Sequence, residues 1–152
     1  MPSNIGEYTI PLGKIEILNE GKDLTMVSYG STLRICQDAI EKLNERGISI
    51  ELIDIQTLYP FDIAHEIVQS IQKTNRLLIV DEDVSGGASA YILSKILEEQ
   101  NAYRYLDSKP ETLTAKDHRP AYGTDGDYFS KPNAEDVYDK VMEIMLEAMP
   151  NL

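Results

Sequence analysis

Three acidic residues in succession, Asp81, Glu82 and Asp83, are the first group in this sequence whose type and spacing could do chemistry. Carboxylate oxygens are the ligands that magnesium and calcium prefer in proteins. The run has no neighbouring histidine and lacks the spacing of a calcium-binding loop, so it also fits an ordinary solvated turn. We favour the turn and predict no metal ligand in this chain.

A glycine and a serine, Gly30 and Ser31, lie between a predicted strand and a predicted helix, where a phosphate could bind. A nucleotide-binding turn carries more glycines than this, because the backbone must approach the pyrophosphate closely. The alternative is a tight turn from strand to helix. We favour the turn and predict no cofactor-binding residue.

The remaining reactive side chains are one cysteine and two histidines. Cys36 lies on the apolar face of a predicted helix, which favours a core position over a nucleophile. His65 lies off the apolar stripe of its helix, as a solvated surface residue would. His118 has aspartates near it in a polar loop, but no serine or cysteine nucleophile stands beside it. We therefore predict no catalytic residue.

The stretch from residue 47 to residue 62 organises the predicted fold. Residues 48–55 contain four isoleucines and one leucine, which predicts a short buried strand. Both faces of this strand are apolar, as in a parallel sheet between two helix layers. Asp62 is predicted to cap a helix over residues 62–73. The side chains expected to point inward from that helix are Ile63, Ile67, Val68 and Ile71.

The other predicted elements surround this unit. Hydrophobic periodicity predicts strands over residues 14–18, 24–29, 76–82 and 111–115, helices over residues 32–45, 88–100 and 133–149, and a polar loop over residues 116–132. This order predicts an α/β three-layer sandwich. Residues 1–13 are assigned to an arm, and residues 14–149 to one domain.

Charge and composition exclude several classes of partner. The chain has 152 residues and a formal net charge of −12, so phosphate backbones and anionic membranes are poor partners. Its one cysteine cannot form an internal disulfide, and we expect a reducing cytoplasm. No apolar run approaches the roughly 20 residues of a membrane span. The amino terminus has no basic and apolar regions typical of a signal peptide.

The last predicted helix is apolar around more than one narrow stripe. Such a surface can contact a second body as well as its own sheet. We therefore name Val141 and Met145 as candidate partner contacts in a homo-oligomer such as a dimer.

Four stretches resemble a known family when taken in sequential order. They are residues 10–14 (IPLGK), 23–30 (DLTMVSYG), 53–62 (IDIQTLYPFD) and 73–82 (KTNRLLIVDE). They look like the carboxyl-terminal domain of transketolase-like enzymes, and most like the β part of thiamine diphosphate-dependent 2-oxoacid dehydrogenases. Residues 119–132 (RPAYGTDGDYFSKP) resemble fused α/β forms of 2-oxoisovalerate dehydrogenase.

The resemblance implies a mixed five-stranded, mainly parallel sheet with one antiparallel strand, a place that residues 14–18 would suit. It implies a parent oxidoreductase that decarboxylates a branched-chain 2-oxoacid and passes the acyl group to a dihydrolipoyl acyltransferase. In that family thiamine diphosphate and magnesium sit between two other domains. The resemblance therefore implies no cofactor in this chain and no enzyme activity of the chain alone.

The implied role is assembly within a multienzyme complex, through contacts with the remaining dehydrogenase subunits and with the acyltransferase core. The basic subunit-binding domain of that core would suit the acidic residues Glu98, Glu99 and Asp107, which also fit an ordinary acidic surface. One alternative is an independent small-ligand-binding domain that uses the turns at residues 30–31, 59–60 and 85–87. Another is the same domain of a pyruvate dehydrogenase or a transketolase.

Overall fold

One mixed five-stranded sheet forms the centre of the computed structural model, which describes residues 6–120, 122–123 and 125–148. The strands are β1 (Glu16–Asn19), β2 (Leu24–Ser28), β3 (Ile50–Asp54), β4 (Leu77–Val84) and β5 (Glu111–Ala115). Their order across the sheet is β1-β3-β2-β4-β5. Strands β2 to β5 are parallel, and β1 pairs antiparallel with β3 at one edge. The implied mixed sheet is therefore confirmed.

Helices cover both faces of this sheet. They are α1 (Thr32–Glu45), α2 (Glu66–Thr74), α3 (Ala88–Ser94), α4 (Gly126–Ser130) and α5 (Ala134–Ala148). A π-helical turn (Lys95–Glu99) continues α3, and a 3-10 turn (Ala102–Tyr105) follows it. Among the described residues, no helix combines the length and the apolar character that a membrane crossing needs.

Alternating side chains of the central strands fill two separate cores. In β4, Leu78 and Val80 pack with α1 and α5, whereas Leu77 and Ile79 pack with α2 and α3. All four side chains are fully buried, as expected for a strand between two helix layers. The predicted three-layer α/β sandwich is confirmed.

The helix predicted over residues 62–73 begins later than expected, at Glu66. Asp62 still serves its first turn, because the buried Asp62 carboxylate accepts the backbone N–H groups of Glu66 (2.9 Å) and Ile67 (3.0 Å). His65 has a left-handed backbone, which prevents an earlier start. The prediction that Ile63 points inward is wrong, since its side chain is 65% exposed.

The polar loop over residues 116–132 contains the short helix α4, which was not predicted. Its aromatic residues Tyr128 and Phe129 are both exposed, so no buried stripe marks the helix in the sequence. After it, Asn133 and Asp136 cap α5 reciprocally, each side chain accepting the other's backbone N–H. The predicted end of this helix at residue 149 and the first five residues of the predicted arm lie outside the described residues.

Candidate functional site

The carboxyl ends of β2, β3, β4 and β5 meet at one edge of the sheet, the edge where open α/β sheets place their sites. The segments that leave it are residues 29–31, 55–65, 85–87 and 116–133. The three turns of the small-ligand alternative therefore lie along the same edge. Whether they form a binding site depends on the polar groups left available there.

The buried carboxylate of Asp81 is the centre of this edge. Asp81 accepts the phenol O–H of Tyr29 (2.5 Å), the backbone N–H of Asp83 (3.0 Å) and the backbone N–H of Ser89 (2.8 Å). Burial and the hydrogen bond to Asp81 raise the pKa of Tyr29 well above its ordinary value of 10. Three donors thus hold Asp81 inside the chain.

Carboxylates of the chain also occupy the helix starts along this edge. Asp81 takes an N–H in the first turn of α3, and Asp62 takes two at α2. At the start of α1, Ser31 Oγ donates to Glu82 (3.3 Å). Helix N-termini attract anions through free N–H groups and a positive dipole end. Asp81 and Asp62 therefore compete with an anion for these N–H groups, and all three carboxylates repel a phosphate.

The acidic run Asp81, Glu82 and Asp83 does not converge on a common point. Asp81 is buried, whereas Glu82 reaches Ser31 and the ammonium group of Lys131 (3.4 Å). Within the described parts of the chain, no three acidic, histidine or cysteine side chains are grouped as metal ligands would be. The arrangement is that of a turn held by its own hydrogen bonds.

The cysteine is buried, whereas both histidines are exposed to solvent. Cys36 is fully buried in the α1 side of the core, and burial raises the pKa of its thiol to about 12. His118 is exposed, with Nδ1 3.0 Å from the carbonyl oxygen of Arg119. His65 is exposed at the start of α2. Cys36 therefore stays a neutral thiol at physiological pH and contributes to packing.

The carboxyl edge instead carries a set of exposed apolar side chains, called here the carboxyl-edge surface. Its members are Leu12, Leu58, Tyr59, Ile63, Val84, Tyr122, Tyr128 and Phe129. They make up eight of the fourteen large apolar side chains that are exposed among the described residues. Sequence patterns missed this surface, because exposure in loops leaves no periodic signal.

The acidic partner-contact candidates lie at the other end of α3. Glu98 accepts a hydrogen bond from Ser94 (3.0 Å), and Glu99 pairs with Lys95 (2.5 Å). Asp107 pairs at 2.7 Å with Arg76, whose side chain is almost buried. All three carboxylates are exposed, so a role in docking stays a prediction.

The apolar partner-contact candidates Val141 and Met145 are inside the chain's own core. Val141 is 0% exposed and Met145 is 1% exposed, and both pack with α1 and the sheet. This placement argues against direct contact of either side chain with a partner. The broad apolar surface of α5 reflects its packing against α1 and the core on that face of the sheet, and Leu146 is its exposed large apolar residue at 44%.

Comparison with protein families gives a match to the transketolase C-terminal domain over residues 13–137. The chain is 41% identical over 103 residues to the mitochondrial 2-oxoisovalerate dehydrogenase subunit beta of Chaetomium thermophilum, covering 66% of this chain and 22% of that protein. It is 35% identical over 150 residues to the pyruvate dehydrogenase E1 component subunit beta of Mesostigma viride, covering 98% of this chain and 44% of that protein. The chain thus spans less than half the length of these curated relatives.

Solved structures support the same fold. An inactive beta4 tetramer of a split-gene transketolase superposes with a TM-score of 0.72 at 23% identity, covering 91% of this chain and 43% of that one. A 2-oxoglutarate:ferredoxin oxidoreductase from Magnetococcus marinus gives a TM-score of 0.56 at 16% identity, covering 93% and 21%. At these identities the likeness concerns the fold alone.

Proposed function

Because the chain belongs to the family of transketolase C-terminal domains, we propose that it is the carboxyl-terminal domain of the decarboxylating component of a 2-oxoacid dehydrogenase complex. In this role it supports subunit association and docking to the dihydrolipoyl acyltransferase, and the parent enzyme is an oxidoreductase. Relatives named as beta subunits of 2-oxoisovalerate and pyruvate dehydrogenases support this proposal.

One observation favours a role in assembly over a role in ligand binding. At the carboxyl edge, Asp81 and Asp62 accept the first-turn N–H groups of α3 and α2 that an anionic ligand would need, and Glu82 places a third carboxylate beside Ser31 at the start of α1. Exposed apolar and aromatic side chains surround them. Protein-contact surfaces are enriched in such side chains, whereas a phosphate site needs free N–H donors.

Thiamine diphosphate and magnesium belong to the proposed parent enzyme, and the residues of this chain do not fit them. The diphosphate is strongly anionic, and the carboxylates of Asp81, Asp62 and Glu82 would repel it. We therefore propose that other domains hold the cofactor and that this chain contributes no group to the decarboxylation.

A branched-chain 2-oxoacid is the proposed substrate class of the parent enzyme. The 2-oxoisovalerate dehydrogenase beta subunits of Chaetomium thermophilum and Dictyostelium discoideum are 41% and 40% identical to this chain over 103 and 97 residues. The pyruvate dehydrogenase beta subunits of Rhizobium meliloti and Dictyostelium discoideum are 30% and 38% identical over 141 and 112 residues. Pyruvate is the alternative substrate.

The first experiment isolates the protein from its source through a tag on this chain. Mass spectrometry then identifies the polypeptides present, and decarboxylation of 3-methyl-2-oxobutanoate is compared with that of pyruvate. We expect thiamine diphosphate-dependent activity with a preference for the branched substrate. An assembly without activity towards any 2-oxoacid would contradict the proposal.

A thermal-shift experiment on the isolated chain tests the small-ligand alternative. A ligand at one hundred times its dissociation constant stabilises a protein by about 2.7 kcal/mol, which is easily detected. We expect no shift with thiamine diphosphate, nucleotides or inorganic phosphate. A concentration-dependent shift would favour the small-ligand domain.

Docking to the acyltransferase is tested by reversing charge at Glu98 and Glu99. The double change Glu98→Lys and Glu99→Lys should slow association with the basic subunit-binding domain and reduce its salt dependence. Glu41→Lys, at another exposed site, is the control. Asp107 is left intact because it pairs with Arg76. Equal binding by all variants would exclude this docking position.

The cytoplasmic location and the homo-oligomeric state are also proposals. The single cysteine supports a reducing compartment. Cell fractionation tests the location, and sedimentation velocity over a range of concentrations tests self-association. Recovery from another compartment would contradict the proposed location. A natural complex that contains a single copy of this chain would contradict the proposed homo-oligomer.

A further inference from the structure

The exposed apolar side chains of this chain are unevenly distributed. Tyr59 and Tyr122, at 88% and 85%, are the most exposed large apolar residues among those described, and both lie on the carboxyl-edge surface. On other faces, Tyr103 and Leu146 stand singly on different helices, and Ile17 and Leu18 form one pair on the edge strand β1. Single exposed apolar residues are normal, whereas several along one edge mark a contact surface.

The chain enters its domain at this same edge. The backbone N–H of Gly13 donates to Thr57 Oγ1 (2.8 Å), and the carbonyl oxygen of Gly13 accepts the N–H of Ile63 (2.9 Å). These bonds fix Leu12, 69% exposed, beside the loop after β3. A Cβ at residue 13 would lie 2.6 Å from the Ile63 side chain, and the φ angle of +75° favours glycine.

We propose that the carboxyl-edge surface is the docking surface for the domain that precedes this one in beta-type dehydrogenase subunits. The inference rests on the proposed function. The relatives are more than twice as long as the matched segment, and the matched family is a carboxyl-terminal domain. Polypeptide that joins this domain at Leu12 reaches it beside Tyr59 and Ile63.

The composition of the carboxyl-edge surface predicts the kind of surface that covers it. Four aromatic residues and four aliphatic residues need an apolar, closely packed counterpart, because water would otherwise remain against them. The carboxylates of Asp62 and Asp81 beneath this edge are already hydrogen-bonded within the chain. The preceding domain therefore contributes apolar contacts here, and its charged residues belong at the rim.

The buried position of Cys36 makes a cysteine-accessibility experiment possible. Because Cys36 is fully buried, a cysteine placed on the surface is the only fast-reacting thiol of this domain. Tyr59→Cys and Ile63→Cys report on the docking surface. Tyr103→Cys and Leu146→Cys are matched controls, since their native side chains are also exposed, at 73% and 44%. Each variant is labelled with maleimide as the isolated chain and within the dehydrogenase component freed of the acyltransferase, because Tyr103 lies near the acyltransferase docking site proposed at Glu98 and Glu99.

We expect all four variants to label rapidly in the isolated chain at low concentration. In the assembly, labelling at residues 59 and 63 should slow by roughly tenfold or more, because a packed interface excludes water and reagent. Labelling at residues 103 and 146 should stay unchanged. Equal rates at all four positions, or protection of the controls alone, would overturn the inference.

Two further outcomes separate this inference from the proposed function. Protection of residues 59 and 63 in the isolated chain at high concentration would make a second copy the occupant and overturn the assignment. In the assembly, cross-linking from a cysteine at residue 63 identifies the polypeptide segment that covers this position. Protection by a preceding domain in an assembly without 2-oxoacid activity would refute the proposed function and leave the docking surface standing.

Discussion

Removing the hydrogen bond between Tyr29 and Asp81 should destabilise the carboxyl edge by a measurable and coupled amount. Tyr29→Phe deletes one hydrogen bond to a buried carboxylate, which costs about 1.5–3 kcal/mol. Asp81→Asn keeps the side-chain shape but removes the negative charge that strengthens the hydrogen bond from Tyr29, and its amide NH2 group can no longer accept a hydrogen bond at one of the two oxygen positions. We expect a cost of about 2–4 kcal/mol.

The double variant should cost less than the sum of the single variants by about 1–2 kcal/mol, because Tyr29→Phe removes the hydrogen bond that Asp81→Asn weakens. Urea unfolding followed by far-UV circular dichroism measures these free energies, since the chain has no tryptophan. Tyr103→Phe, at a residue 73% exposed, is the control and should stay within about 0.5 kcal/mol of the parent. Additive costs, or a Tyr29→Phe variant as stable as the control, would refute the reasoning.

The pH dependence of the same variants gives an independent check. The pKa of Tyr29 is raised in the folded state above its ordinary value of 10. The unfolded chain therefore loses this proton first, and the stabilisation is present below pH 10 and lost as the pH rises further. Tyr29→Phe should show a shallower loss of stability above pH 10 than the parent. Identical slopes would contradict the assignment.

Three further predictions follow from buried groups. Val141→Glu places a charge in the core and should prevent stable folding, whereas the exposed control Leu146→Glu should fold normally. Far-UV circular dichroism and sedimentation test both variants, and a folded Val141→Glu variant would contradict the packing. Burial raises the pKa of Glu51, but hydrogen bonds from Lys73 and from the backbone N–H of Gly21 outweigh it and hold the pKa below 4.5, so Glu51 contributes stability above pH 4.5 that is lost as the pH falls. Glu51→Gln should therefore flatten the stability profile as the pH falls below 4.5, and an unchanged profile in urea unfolding would exclude this role. The Cys36 thiol should react with a disulfide reagent only as fast as the chain opens, so a fast reaction in native buffer would show that Cys36 is accessible.

The strands and long helices were predictable because burial leaves a periodic record in the sequence. The helix α1 has the predicted bounds, Thr32–Glu45, and β5 has the predicted bounds, Glu111–Ala115. Asn133 was correctly named as the cap of α5, since a polar residue before an apolar stripe is a local signal. These features depend on neighbours within a few positions in the chain.

The features that escaped prediction depend on contacts between distant segments. Ile63 faces outward because Gly13, fifty positions away, accepts its backbone N–H. The carboxylate of Asp81 is committed to Tyr29 and Ser89, and no local pattern reveals such partners. Val141 and Met145 follow an apolar pattern that is equally compatible with a core and with an interface, and only the packing of α5 distinguishes them.

The position of α5 has a consequence for synthesis on the ribosome. The core between α2, α3 and the sheet contains no residue of α5, whereas the core of α1 needs Val137, Val141 and Met145 from it. Translation at about 5–20 residues per second adds the 15 residues of α5 in roughly one to three seconds. During that interval one layer of the nascent domain can close while the apolar face of α1 still lacks its cover. We expect chaperone binding to concentrate on α1 in this window and to end when α5 emerges.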